Sequence, residues 1–204
     1  MGGIMAYEKE RGIRFAGITI HDSEDVVHPL ELKITSHLID TYDALQFPVF
    51  PLMRMPRFSN YFKTLTVGTY TDEFAEHHYR TLSIRDQLGF VPSAGTGFCL
   101  NRSFLDSHGD GTGIIMKEDS LTEDYDLSLT MNKQGYRVHY VLESVLRVDS
   151  NGRYFHDYIA TRSMFPKSFT KAVRQKTRWI YGITMQSARL RDVFAKNELN
   201  FRDR

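Results

Sequence analysis

Residues 17–29, GITIHDSEDVVHP, run from a β-branched apolar stretch into three carboxylates, Asp22, Glu24 and Asp25, and stop at a proline. With its flanks the apolar stretch, IRFAGITIH (13–21), predicts a strand, and PLELKITSHLI (29–39), opened by Pro29, predicts a helix. In an open α/β sheet, ligands gather where strands end, and Asp22 falls where the first strand runs out. Like charges held so close repel unless a cation lies between them; a hard divalent ion with oxygen ligands, Mg2+ or Mn2+, resolves that repulsion. A solvated acidic turn that helps to cap the next helix is the other reading of the same residues.

Outward from this stretch, strand-like and helix-like segments alternate without an internal repeat or a low-complexity linker, so one α/β unit is expected. ALQFPVFPL (44–52) predicts a proline-limited strand, and DEFAEHHYRTLSIRDQLG (72–89) a helix closed by Gly89. GTGFCLNR (95–102) predicts a short strand. SLTEDYDLSLTMNKQG (120–135) predicts a helix with Ser120 at the N-cap, Glu123 completing a capping box and Gly135 at the end. YRVHYVLESV (136–145) is then a strand, and residues 168–194 form one or two helices.

The 204 residues are 41% hydrophobic and 13% aromatic, enough for a packed core. Lysine and arginine number 26 against 25 acids, with no basic block, so no nucleic-acid partner is indicated. The single cysteine, Cys99, lies in an apolar run as a structural thiol, and a lone cysteine with no disulfide partner points to a reducing compartment. The opening MGGIMAYEKERG turns charged before any signal-like apolar run develops, and nowhere do about 18 apolar residues follow one another.

Two further groups carry chemistry. In LTEDYD (121–126), Glu123 and Asp124 stand in the first turn of a helix, where they complement its dipole; Asp124 is also suited to accept a proton from an attacking hydroxyl. In RQKTRWIYG (174–182), Gln175, Arg178 and Trp179 at i, i+3 and i+4 share one helical face. Arg178 offers a planar fork of donors to phosphate oxygens and Trp179 a flat wall to a sugar ring. An amphipathic helix with a half-buried Trp accounts for the same spacing. Glu73 and His77, with His78 adjacent, are more in keeping with surface or core than with a metal site.

Taken in order, the acidic cluster after a strand, TED (122–124) and QxxRW (175–179) resemble the inverting family-two glycosyltransferases, in the membrane-associated branch that includes cellulose and hyaluronan synthases. FAGITIHDSEDVVHPLELK, QFPVFPL, GTYTDEFAEHH, VPSAGTGFCLNR and LTEDYDLSL are similar to the glycosyltransferase domain of the phage-adsorption protein B type. The resemblance spans about residues 7–182, leaving 183–204 as a terminal helical segment of one partial domain.

That resemblance implies a glycosyltransferase A-type, Rossmann-like mixed sheet flanked by helices, a nucleotide-diphosphate sugar donor and a divalent metal. Asp22 and Glu24, the ends of a DxD-like motif with Glu in third place, would meet metal and diphosphate, and Asp25 is an addition to the pattern. Asp124 would be the base, with Glu123 and Thr122 supporting the acceptor. Gln175, Arg178 and Trp179 would hold the donor diphosphate and the acceptor sugar, while Gly95 and Gly97 let the backbone approach the acceptor. The acceptor would be a glycan or a lipid-linked molecule. The location would be the cytoplasmic side of a bacterial inner membrane, with Trp179, Ile180, Ile183, Met185, Arg178, Arg189 and Arg191 laid against the lipid surface.

The family normally places a nucleotide-binding half before the acidic cluster and transmembrane helices after QxxRW, so the sequence reads as part of such an enzyme. A catalytically incomplete interaction module is the competing class. A nucleotidyltransferase is more distant, since it has no use for TED followed by QxxRW, and glycoside hydrolysis by paired carboxylates lacks a role for the acidic cluster.

Overall fold

The computed structural model describes residues 2–52, 61–108 and 120–187. An N-terminal helix, α1 (Gly2–Arg11), precedes strand β1 (Gly17–Ile20) and helix α2 (Glu31–Leu38). Short strands β2 (Ala44–Gln46) and β3 (Val49–Pro51) follow, then helix α3 (Tyr61–Thr71), which widens into a π-helical segment (Asp72–His78) before helix α4 (Tyr79–Gln87). Strand β4 (Phe98–Asn101) runs directly into α5 (Arg102–His108). After α6 (Glu123–Lys133) come strands β5 (Val138–Tyr140), β6 (Ser144–Val148), β7 (Tyr154–Tyr158) and β8 (Thr161–Ser163). Helix α7 (Phe169–Ile180) passes into a second π-helical segment (Tyr181–Ser187).

The fold is mixed α/β. Its main sheet has the order β1-β4-β2-β5, with β4 antiparallel to both neighbours and β2 parallel to β5. Side chains alternate across it as the pleat requires. Ala44, Phe98, Leu100, Val138 and Tyr140 face a core shared with Leu82, Phe104, Leu105, Leu127 and Met131, from α4, α5 and α6. Leu45 and Cys99 face the other side, against Ile39, Phe47, Val141 and Ile159, with α2 supplying Ile34 and Leu38. Cys99 is fully buried within that second core. Truncating a fully buried residue such as Leu45 or Met131 to alanine costs about 2–5 kcal/mol.

Two expected strands are each divided in two, and one expected helix starts later. ALQFPVFPL is two strands, because Pro48 has no N–H to give a ladder. The Phe47 amide instead donates to the Gly97 carbonyl (2.8 Å), and β3 leaves to pair in parallel with β8. YRVHYVLESV breaks after Tyr140, where the Val141 amide donates to the Gln46 carbonyl (2.9 Å), and β6 turns away to form a hairpin with β7. The helix expected to open at Ser120 starts at Glu123, with Thr122 as its N-cap residue. There is no capping box; the Ser120 hydroxyl accepts from the Thr122 amide (3.3 Å). Helices end on Gly89 and Gly135 as expected, both with left-handed backbone.

Candidate active site

Strands β1, β2 and β5 point their carboxyl ends the same way, and at that end lies a cavity of about 350 Å³. Asp22 and Glu24 line it from the turn after β1, Thr122, Glu123 and Asp124 from the start of α6, Gly95 and Thr96 from the loop before β4, and Gln175, Arg178 and Trp179 from α7. Three groups spread from Asp22 to Trp179 thus share one space. Phe74, from the first π-helical segment, and Phe165 make the aromatic side of that space. Gly97 lies outside the lining. Its left-handed backbone (φ 58°) and close neighbour serve packing, since a Cβ there would stand 2.5 Å from Thr161 Oγ1.

The acidic turn is built by Asp25, the carboxylate that the sequence left without a role. Its side chain is closed to solvent, and its Oδ2 accepts from the Asp22 amide (2.9 Å) and from the Thr96 hydroxyl. The turn is held on its far side by an antiparallel bridge from Val26 to Arg162, and by His28 beside Asp157 (3.8 Å). Asp157 is itself clamped by Arg147 (2.8 Å) and Arg162 (2.6 Å), which hold its carboxyl below the usual range against the opposing effect of burial. Asp25 is thereby spent on structure, while Asp22 and Glu24 stay exposed on the cavity. The Asp22 carboxylate accepts no hydrogen bond from the described residues. Partial burial, then the neighbouring Asp25 and Glu24, raise its pKa above the ordinary value, with Arg178 opposing.

Asp124 has another setting. Burial raises its pKa, the Tyr125 amide and the Arg178 charge oppose that rise, and Glu123 adds to it. Gly95 is pressed against it: with φ at 79° and a virtual Cβ 2.8 Å from Asp124 Oδ2, no other residue fits without displacing the carboxylate. The two walls are joined by Ser128, one turn along α6. It accepts from the Ser93 amide (3.0 Å) and donates to the Tyr125 carbonyl (2.9 Å) of its own helix.

Gln46, fully buried at the end of β2, fixes the glycine loop from below. Its Oε1 accepts from the Ala94 amide (2.8 Å), and its Nε2 donates to the carbonyls of Phe47 (2.8 Å) and Thr96 (2.9 Å). Such buried polar anchors had no visible motif. Only a lone Gln in an apolar strand hinted at one.

Trp179 faces the cavity and packs edge-on against Tyr70 and Phe74, so it is turned away from the surface on which a lipid-facing role for it would depend. Ile180 and Met185 are exposed, whereas Ile183 is only partly so; Arg189 and Arg191 lie outside the described residues. Glu73 pairs with Lys176, and His77 lies 3.9 Å from Asp72, away from the acidic turn. Gly182 in the second π-helical segment abuts Thr122, leaving no room for a Cβ, and Gln186 accepts from the Leu121 amide (3.0 Å). The helix carrying QxxRW and the start of α6 are therefore one packed unit.

No three His, Cys, Asp or Glu side chains converge as a ready-made ion cage among the described residues. The donor set suits a hard cation that takes most of its ligands from outside the protein: two exposed carboxylates on an open cavity, one of them with a pKa raised by partial burial and then by like charge. No described helix is long and apolar enough to cross a membrane.

The family model described as glycosyltransferase like family 2 matches residues 2–182. The chain is 35% identical over 211 aligned positions to bacteriophage adsorption protein B of Escherichia coli K12, and equally to bacteriophage N4 adsorption protein B of Escherichia coli O157:H7. Those alignments take in 98% of this chain but 28% of each relative, so the chain spans somewhat over a quarter of the length of the proteins it matches. With a mixed sheet flanked by helices and the three motif groups gathered at its strand ends, the chain belongs to the glycosyltransferase family 2-like proteins.

Proposed function

We propose that this domain transfers a sugar from a nucleotide-diphosphate donor to an acceptor hydroxyl with inversion at the anomeric carbon. The observation that carries the reading is the shared cavity, in which Asp22 and Glu24 stand on one wall, Asp124 on another, and Gln175, Arg178 and Trp179 on a third. Asp124 takes the proton of the acceptor hydroxyl as the oxygen forms its bond to the anomeric carbon. The bond from that carbon to the diphosphate oxygen breaks on the opposite side, and the nucleoside diphosphate leaves with the electron pair.

A raised Asp124 pKa makes it a stronger base than an ordinary aspartate, and Arg178 faces the charge that develops on the leaving diphosphate. Gly95 leaves the acceptor oxygen room beside Asp124, and Thr122 and Glu123 border the same side. Trp179, with Phe74 and Phe165, supplies the flat apolar wall that a pyranose ring stacks on. Asp22 and Glu24 would hold Mg2+ or Mn2+; when bound, the ion neutralises negative charge on the diphosphate.

The acceptor is a glycan or lipid-linked molecule, and the domain works at the cytoplasmic face of a membrane. Support for the membrane surface is the outer side of α7 and of the π-helical segment after it, where Phe169, Val173, Ile180, Tyr181 and Met185 are exposed, with Lys171 and Arg174 nearby. Co-sedimentation with anionic vesicles at low salt tests this, and equal recovery with and without vesicles refutes it.

The deciding experiment incubates the full-length protein with a panel of nucleotide sugars, with Mn2+ or with EDTA, and identifies the released product. Nucleoside diphosphate released only with metal is expected. Pyrophosphate release would identify a nucleotidyltransferase, and absence of turnover with every donor would favour an interaction module.

A further inference from the structure

Tyr70, at the end of α3, has no place in the motif groups, yet it is fully buried directly behind α7. Its ring stacks on Phe165 (centroids 4.6 Å apart), meets Trp179 edge-on (6.1 Å, 87°) and carries the Lys176 ammonium above it (4.6 Å). The phenol oxygen lies 2.9 Å from Gln175 Oε1 and 3.4 Å from the Ala172 carbonyl. A phenol has a single proton to give, and the shorter, better contact is to Gln175. Burial and the nearby Glu73 raise the pKa of Tyr70, so the phenol keeps that proton over the physiological range.

Resting on the transferase reading above, we infer that Tyr70 is a positioning residue. Its hydroxyl occupies the Gln175 carbonyl oxygen, turns the amide so that only its N–H₂ is left for the cavity, and so makes Gln175 a dedicated donor to diphosphate oxygens. A free glutamine amide presents oxygen or nitrogen with equal ease, and the oxygen would repel the phosphate. With Oε1 engaged, the amide and the Arg178 guanidinium offer donors only, one helical turn apart on the same face. The same ring backs Trp179, so one buried residue sets both the polar and the flat part of that wall.

The test titrates Mn2+-pyrophosphate, which carries the diphosphate without sugar or base, into the full-length protein. Tyr70→Phe keeps the ring and deletes the hydroxyl; about fivefold weaker binding is expected, with an unchanged near-ultraviolet circular dichroism spectrum. Gln175→Ala should lose a similar factor, and the double variant no more than either single change. Gln175→Glu should bind worse than Gln175→Ala, because it keeps the Tyr70 contact but turns a carboxylate oxygen towards the phosphate. Additive losses in the double variant, undiminished binding by Tyr70→Phe, or a Gln175→Glu protein that binds as well as the parent would each overturn the inference. Arg178→Ala separates the two readings. If it weakens pyrophosphate binding while Tyr70→Phe does not, the inference fails alone; if Arg178→Ala has no effect, the diphosphate reading fails with it.

Discussion

Two acidic groups face the same cavity, and their surroundings make them different reagents. The turn after β1 spends one carboxylate, Asp25, on closing itself, and leaves Asp22 and Glu24 exposed on the cavity. The start of α6 is more buried. There Asp124 has a backbone amide, an opposing arginine and a glycine against its oxygen. An exposed acidic pair with unspent lone pairs is suited to a cation and phosphate, whereas a single desolvated carboxylate with room for one substrate atom is suited to moving a proton.

The widest expected separation between the groups is kinetic. Asp124→Asn should lower kcat by about 10²–10⁴-fold while nucleoside-diphosphate binding stays within a factor of two or so, because a base acts on the acceptor only in the transition state. Single-turnover rates alongside calorimetric binding check this, and unchanged turnover would remove Asp124 from the mechanism. Asp22→Ala should invert the pattern, weakening Mn2+-dependent binding by about tenfold or more, whereas Glu73→Ala and His77→Ala leave it alone. If the Glu73 and His77 variants bind more weakly than Asp22→Ala, the ion belongs elsewhere.

Gly95→Ala sharpens the comparison from the glycine side. The new methyl would stand 2.8 Å from Asp124 Oδ2 on a backbone with φ of 79°, so both strain and displacement of the base are expected. Stability should fall by about 1–3 kcal/mol in thermal melts, and kcat should fall more than donor affinity. Gly97→Ala, near Thr161 instead, should cost stability without that kinetic selectivity.

The sequence carried the strand-to-turn transition at Asp22, the helix after TED and the shared helical face of Gln175, Arg178 and Trp179, because each is a local pattern of periodicity and punctuation. It also pointed to the mixed α/β class. What it concealed was non-local. Pro48 and Val141 split apparent strands between sheets, and the small strands β7 and β8 had no turn signal strong enough to separate them. Asp25 stands outside the motif pattern, and its role depends on a partner 71 residues away, the Thr96 hydroxyl that donates to it. Gln46, Ser128 and Tyr70 act through partners 35–105 residues distant, and no spacing rule reaches that far.

The smallest expected effect concerns stability, and it follows from the raised pKa values of both Asp22 and Asp124. A carboxyl whose folded pKa exceeds its unfolded value near 3.8 binds its proton more tightly when folded. Its contribution therefore favours folding at pH below that unfolded value and is lost as pH rises through the higher folded pKa, so at neutral pH each charged group is a net cost. Asp124→Asn should then be at least as stable as the parent at pH 7, with the gain shrinking as pH is lowered through the raised pKa and absent once both states are protonated. Asp22→Asn should show the same sign with a smaller amplitude, since its carboxyl is more exposed and better screened. The helix dipole at the start of α6 acts in the opposite direction, favouring a charged Asp124, and burial must outweigh it for the prediction to hold. Thermal midpoints of the two variants at pH 7 and pH 4 measure the balance. An Asp124→Asn protein clearly less stable than its parent at pH 7 would mean that the dipole and the Tyr125 amide outweigh burial, and that the Asp124 pKa is not raised.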